Sequence, residues 1–192
     1  MRRSDDHFRL NNGRLCFTFA ATLGKRGEPN PLERLNKPAD LARWCADMGF
    51  CPMGLSVSEA ELSQALELRE TIVTTARALI HGQALKARDV DYLNEWAAGP
   101  ALSPQLQPEP VPHLHWSSPG ATIEAILALI ARDCIELLGG DLASRIKSCA
   151  DDTCQGLFVD TSRPGSRRWC AMGTCGNRAK KAALRQRQGI DS

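Results

Sequence analysis

The sequence predicts a mainly α protein, with a helical N-terminal domain followed by a small C-terminal treble-clef-like zinc finger built from a β-hairpin and a helix. Three observations carry this expectation. Residues 56–82 repeat apolar side chains at helical spacing, residues 120–140 form a second and almost wholly apolar stretch, and the last quarter holds two cysteine pairs of identical spacing, Cys149-x4-Cys154 and Cys170-x4-Cys175. The expected division is a helical domain over 1–143 and a finger over 144–192.

A chain of 192 residues is long enough for one domain with its own core plus a small appended module. With 43% hydrophobic and 24% charged residues it reads as globular, and its longest apolar run, "AILALIA" at 125–131, is too short to cross a bilayer. The opening "MRRSDDHFRLNNGR" is basic but has no apolar stretch or cleavage site of a secretion signal, so the expected location is the cytoplasm and no membrane partner is expected.

The elements follow in order. In "RLCFTFAATL", Leu15, Phe17 and Phe19 alternate as in a strand, while Leu15, Phe19 and Leu23 fit one face of a helix; helix is the expectation. "NPLERLNKP" reads as loop, and "DLARWCADMGF" as a short helix that starts at Asp40 as N-cap and stops at Gly49. The clearest helix runs through Leu62, Leu66, Arg69, Ile72, Val73, Ala76, Leu79 and Ile80, with Ser58 and Glu61 as a capping box and Gly82 as its end. Another is expected over "ARDVDYLNEWAAG". The proline-rich "PALSPQLQPEPVPHLHWSSPG" cannot be helical throughout and reads as loop with a short strand at 113–116. "GATIEAILALIARDCIELLGG" is then a buried helix closed by Gly139 and Gly140.

A module of about 45 residues is too small to rely on a hydrophobic core alone. Zinc takes four thiolates in a tetrahedron, and two short-range cysteine pairs around a hairpin-length spacer can close on it with little loop entropy lost. Cys149, Cys154, Cys170 and Cys175 are therefore the expected ligands of one structural zinc ion; two disulfides or plain buried thiols are the alternatives. Four thiolates fill the shell, which argues against a catalytic zinc. Between the pairs, Leu157 to Asp160 reads as a strand, Pro164 and Gly165 as a turn, and the stretch to Trp169 as its returning arm. After Cys175 come good helix formers, and Ala179, Ala182 and Ala183 are expected to pack that helix on the hairpin.

Charge separates the two parts. Residues 145–192 hold ten Lys/Arg against four Asp, a formal +6, while the rest of the chain carries −4. Four thiolates and one zinc ion trim the module to about +4. Arg167, Arg168, Arg178, Lys181 and Arg185 are the expected contacts to nucleic-acid phosphates or guanine edges. Trp169, beside a ligand, is expected to be hairpin core rather than a base-stacking platform.

The string "CGNR" at 175–178, together with the cysteines, "LFVDTS" and "RRWC", resembles the CGNR zinc-finger family over about 145–187. "GRLCFTFAATL", "LARWCADMGF" and "LRETIVTTARALI…LNEWA" resemble the all-helical ABATE domain that usually precedes that finger. The resemblance implies a stress-induced transcription regulator, a finger that binds DNA, and metal ligands at Cys149, Cys154, Cys170 and Cys175. One departure stands out: where members commonly show an L-D-F-V-N-T pattern, this chain has Thr18 for the acid and Ala21 for the amide, which puts an inherited effector site in doubt.

Other candidates point elsewhere. His113-x-His115 lacks a second ligand pair nearby and is expected to be ordinary strand. Cys16, Cys45, Cys51 and Cys134 are expected in the core. "GKRGEPN" lacks the ending of a P-loop, and no Gly-x-Ser-x-Gly or His-Glu-x-x-His motif occurs, so no enzyme is expected. The expectation is a regulator whose finger contacts DNA and whose helical domain senses a signal or mediates self-association as a homo-oligomer, with the small-molecule effector unknown. An RNA-binding finger is a variant of it. The rival is a zinc-stabilised protein-interaction or assembly module that does not bind nucleic acid, its basic finger docking on the acidic body or on another protein.

Overall fold

The computed structural model of the chain describes residues 7–10, 12–50, 55–108, 110–117, 122–187 and 189. Six α-helices and three two-stranded antiparallel sheets lie among them. Helix α1 (Leu15–Ala20) is short and buried from Cys16 onward. Its first turn is held from outside, because the Asp133 carboxylate on α5 (Ile123–Gly139) accepts from the Cys16 amide at 2.8 Å and pairs with Arg14 at 2.9 Å. Six residues would not hold a helix alone; tertiary packing does.

After α1, strands β1 (Leu23–Gly24) and β2 (Leu32–Glu33) pair across a tight loop. Helix α2 is Pro38–Asp47, one turn earlier at its start than the sequence predicts. Asp40 caps it from inside, at the third helical position, accepting from the amides of Asn36 and Lys37. Helix α3 (Glu59–Ile80) has the expected capping box, Ser58 Oγ accepting from the Glu61 amide at 3.2 Å and the Glu61 carboxylate accepting from the Ser58 amide at 2.7 Å. Helix α4 (Ala87–Ala97) follows.

The proline-rich segment forms a hairpin rather than a lone strand. Strand β3 (Ser103–Gln107) pairs with β4 (His113–Ser117), and Leu106 sits directly opposite Leu114 with both exposed. Pro104 is tolerated because a two-stranded ribbon has an open edge. His113 and His115 occupy alternate positions of β4, as expected of ordinary strand.

The main core gathers Phe17 and Phe19 of α1, Leu41 and Trp44 of α2, Leu68 and Ile72 of α3, and Ile126 and Ile130 of α5. The Phe19 and Trp44 rings lie 5.1 Å apart and tilted. Cys16, Cys45 and Cys134 are buried in it. Burial, then a hydrogen bond donated to Cys134, raises the Cys16 thiol well above its ordinary range, so this thiol packs rather than reacts. Cys51 lies outside the described residues. No helix among the described residues is long and apolar enough to cross a membrane.

The finger's hairpin differs from the expected one. Strand β5 (Ile146–Ser148) pairs with β6 (Leu157–Val159), Ile146 opposite Val159, so the first cysteine pair forms the turn and the stretch 161–169 is no strand. Alternation explains why this pairing wins. Leu157 and Val159 join Ile146 in the main core, while Phe158, on the other face of the same strand, packs with the four cysteines. One strand thus serves two cores.

The last helix also departs from expectation. A wide turn (Met172–Gly176) leads into α6 (Asn177–Arg187), in which no side chain is buried. Ala182 and Ala183 are exposed instead of packed on the hairpin, because the hairpin face they would need is already filled by Phe158 and the cysteines.

Candidate metal centre and nucleic-acid interface

The sulfurs of Cys149, Cys154, Cys170 and Cys175 all lie within 4.8 Å of one another, and all four residues are buried. Cys154 and Cys170 are 3.6 Å apart and Cys170 and Cys175 3.8 Å. A tetrahedron of zinc–sulfur bonds of about 2.3 Å has edges of about 3.8 Å. All four cysteines are free of disulfides, whose S–S bond would be about 2.05 Å. The donor set fits one structural zinc ion, held from the hairpin turn by Cys149 and Cys154 and from the start of the last helical segment by Cys170 and Cys175.

Local chemistry makes room for this. Gly156 sits against the cluster, where an added Cβ would lie 3.4 Å from the Cys154 sulfur and 3.9 Å from that of Cys170. Gln155 takes a left-handed conformation (φ 48°), and the Cys149 amide donates to the Gly156 carbonyl at 2.8 Å, closing the turn. Hydrogen bonding within the cluster splits the four thiols, lowering Cys149 and Cys175 and raising Cys154 and Cys170.

Around the sulfurs lies an outer layer of donors. The Cys170 amide approaches Cys149 Sγ at 3.5 Å, Thr174 Oγ1 approaches Cys175 Sγ at 3.8 Å, and an Arg178 nitrogen lies 3.9 Å from Cys175 Sγ. Arg178 also pairs with Asp151 at 3.0 Å and donates to Thr153 Oγ1 at 3.0 Å. A further arginine, Arg9, places a nitrogen 3.8 Å from Cys170 Sγ. Nothing in the sequence marks Arg9, which is separated from its sulfur partner by 161 positions.

Asp160 organises the second half of the finger. Fully buried, it accepts from Lys147 Nζ at 2.7 Å, from the Ser162 amide at 3.0 Å and from the Arg167 amide at 2.8 Å. The Lys147 ammonium and the Ser162 hydroxyl hold its carboxyl well below the usual carboxylate range. The missed signal was available: a lone acid after a strand in a basic module, within "LFVDTS".

The expected nucleic-acid contacts divide into two groups. Arg167 donates to the carbonyls of Trp169 and Cys170 and lies over the Phe158 ring at 4.8 Å, and Arg178 is engaged with Asp151 and Thr153. Arg168 stacks on Trp169 at 5.2 Å, and Lys181 and Arg185 stand on the exposed α6. Lys180 and Arg187, on other flanks of α6, are exposed as well. No ion pair among the described residues involves Lys180, Lys181, Arg185 or Arg187.

The finger meets the body through backbone and buried polar groups. In the β1–β2 loop the Arg26 and Gly27 amides donate to the carbonyls of Cys154 and Thr153 at 3.2 and 3.3 Å. The Arg26 side chain returns to α3, pairing with Glu70 at 2.7 Å, while Arg69 grips Glu33 at 2.7 Å and donates to Glu70. Burial works against the Glu70 charge, but Arg26 and Arg69 outweigh it and hold its carboxyl below the ordinary range. At the two departures from the family pattern, Thr18 is buried and bonded to the Arg14 carbonyl and the Asn12 amide, and the Ala21 carbonyl accepts from Arg34.

Residues 13–141 match the ABATE family, described as "Putative stress-induced transcription regulator", and residues 145–188 match the CGNR zinc finger. The chain belongs to the ABATE family. Its ABATE domain and its CGNR finger follow one another with a gap of three residues between the matched ranges, at the short helical turn (Ala143–Arg145) that leads into β5. No curated protein matches this ABATE-family chain.

Proposed function

We propose that this chain is a DNA-binding transcription regulator, in which the zinc finger contacts DNA and the helical domain senses a signal or mediates self-association. The observation that carries the reading is α6: eleven residues, five of them basic and none acidic, all turned to solvent or partly so. A helix of that length spans about 16 Å and is slim enough for a major groove about 12 Å wide. Arg168, Lys181 and Arg185 are the expected phosphate or base contacts, with Lys180 and Arg187 flanking them. Arg167 and Arg178 support the fold of the same surface. The small side chains of Ala182 and Ala183 leave room for close approach to bases.

The rival reading has the basic finger dock on the acidic body. The finger's contacts with the body use Ile146, Leu157, Val159 and the loop amides, and beyond Arg178, which pairs with Asp151 inside the finger, no cation of α6 makes an ion pair among the described residues, which favours an external polyanion. Self-association would rest on the β3–β4 hairpin with its exposed Leu106 and Leu114. Selection from a random duplex library by the zinc-loaded chain tests the reading: enrichment of a common site supports it, and recovery no better than that of the metal-stripped chain contradicts it.

A further inference from the structure

Among the described residues, the finger's metal cluster is touched by one side chain from outside the finger. Arg9 precedes α1, and its guanidinium reaches Cys170 Sγ at 3.8 Å. Both neighbours of this contact are fixed to the body. Phe8 packs against the main core beneath the Arg43 guanidinium, 4.9 Å from its ring centroid, and the Asn12 side chain donates to the Phe17 carbonyl of α1 at 3.4 Å and to the Arg9 carbonyl at 3.5 Å. The segment is a strap with its anchor on the body and its charged tip on the zinc ligands.

Charge gives the tip its role. A zinc ion with four thiolates carries about −2 in a buried site, and such a charge needs compensating donors. Arg178 supplies a donor from inside the finger, at Cys175, but its charge is shared with Asp151 at 3.0 Å. Arg9 supplies a further positive charge, at the sulfur that lies 3.6 Å from that of Cys154 and 3.8 Å from that of Cys175.

We propose that Arg9 is a positioning residue of the zinc site, an outer-sphere clamp through which metal retention depends on the strap anchored by Phe8 and Asn12 and the strap's seating depends on the metal. Linkage runs both ways: whatever lifts the strap weakens zinc, and loss of zinc frees the strap. Removing an outer-shell partner of this kind costs about 10–100-fold in metal affinity.

The test uses the zinc-loaded full chain, with zinc transfer to a chromophoric chelator followed by absorbance and the cobalt-substituted spectrum recorded alongside. Arg9→Ala is expected to weaken metal binding by about 10–100-fold and to shift the thiolate-to-cobalt charge-transfer band. Arg9→Lys keeps the charge without the planar fork and is expected to recover part of both. Phe8→Ala, which loosens the anchor but leaves the guanidinium, is expected to fall between wild type and Arg9→Ala. Circular dichroism on each variant reads the helical body. Wild-type metal affinity and an unmoved cobalt band in Arg9→Ala would overturn the proposal; so would equal weakening in the alanine and lysine variants accompanied by loss of helical signal, which marks a purely structural role.

Discussion

The Arg178 guanidinium lies 3.0 Å from the Asp151 carboxylate, bridging the two cysteine pairs. Asp151 belongs to the first pair's turn, where it also accepts from the Thr153 amide and hydroxyl, and Arg178 opens the helix that follows the second. The last residue of the Cys-Gly-Asn-Arg string is thereby a brace of the metal site. Its charge is answered inside the finger, while Lys181 and Arg185 make no ion pair among the described residues.

This separates two kinds of arginine substitution. Arg178→Ala is expected to cost about 1 kcal/mol of finger stability, since the pair is half exposed on the arginine side, and to speed zinc release. Lys181→Ala and Arg185→Ala should leave zinc release unchanged and each lower the salt slope of duplex binding by about 1. Chelator competition and thermal melts, run on the three variants in parallel, check the contrast.

Asp160 gives a pH-dependent contribution with a defined sign. Its folded-state pKa is depressed, chiefly by Lys147, so the stabilisation is fully present above the unfolded value of about 4 and is lost as pH falls through the lower folded value. At neutral pH Asp160→Asn is expected to lower the melting temperature and expose Arg163 and Arg167 to trypsin. Ser162→Ala, which removes only one donor, should do less. Limited proteolysis with mass analysis distinguishes them.

Gly27 tests the docking of the finger on the body. A Cβ there would lie 1.7 Å from the Asp152 carbonyl oxygen, a backbone atom that cannot simply turn aside. Gly27→Ala is expected to destabilise by about 1–3 kcal/mol and to loosen residues 151–155. Denaturant melts and amide exchange over that turn measure both effects.

Zinc removal should not unfold the chain uniformly. Ile146, Leu157 and Val159 are rooted in the main core, whereas Phe158, Trp169 and the turns pack on the cysteines. Stripping the metal is expected to abolish exchange protection over 149–156 and 160–187 while α3 and α5 keep theirs. Hydrogen exchange with mass spectrometry reads this directly, and equal loss across α3 and α5 would contradict it.

Much of the molecule is legible in its sequence. The Ser58/Glu61 capping box, the periodicity of α3 and the apolar α5 are local signals, and the equal spacing of the cysteine pairs predicts a cluster that the geometry bears out. What escaped was set by partners distant in sequence. Strand β6 pairs with Ile146–Ser148 rather than with 161–169 because Leu157 and Val159 need the main core, a demand invisible within the finger alone. Ala182 and Ala183 formed an apparent packing face, yet no free hairpin surface remained to receive them. Arg9 and the Arg26–Glu70 pair belong to the same class, since a solitary charge carries no period and no spacing.

The most direct test of the central claim is fluorescence anisotropy of the zinc-loaded chain with a labelled random duplex, titrated at several salt concentrations beside Lys181→Ala/Arg185→Ala. The account predicts binding that weakens steeply with salt, with a slope shallower by about 2 in the double variant. Absence of binding at low salt, or an identical slope in the variant, would contradict it and turn the charges of α6 toward a protein partner.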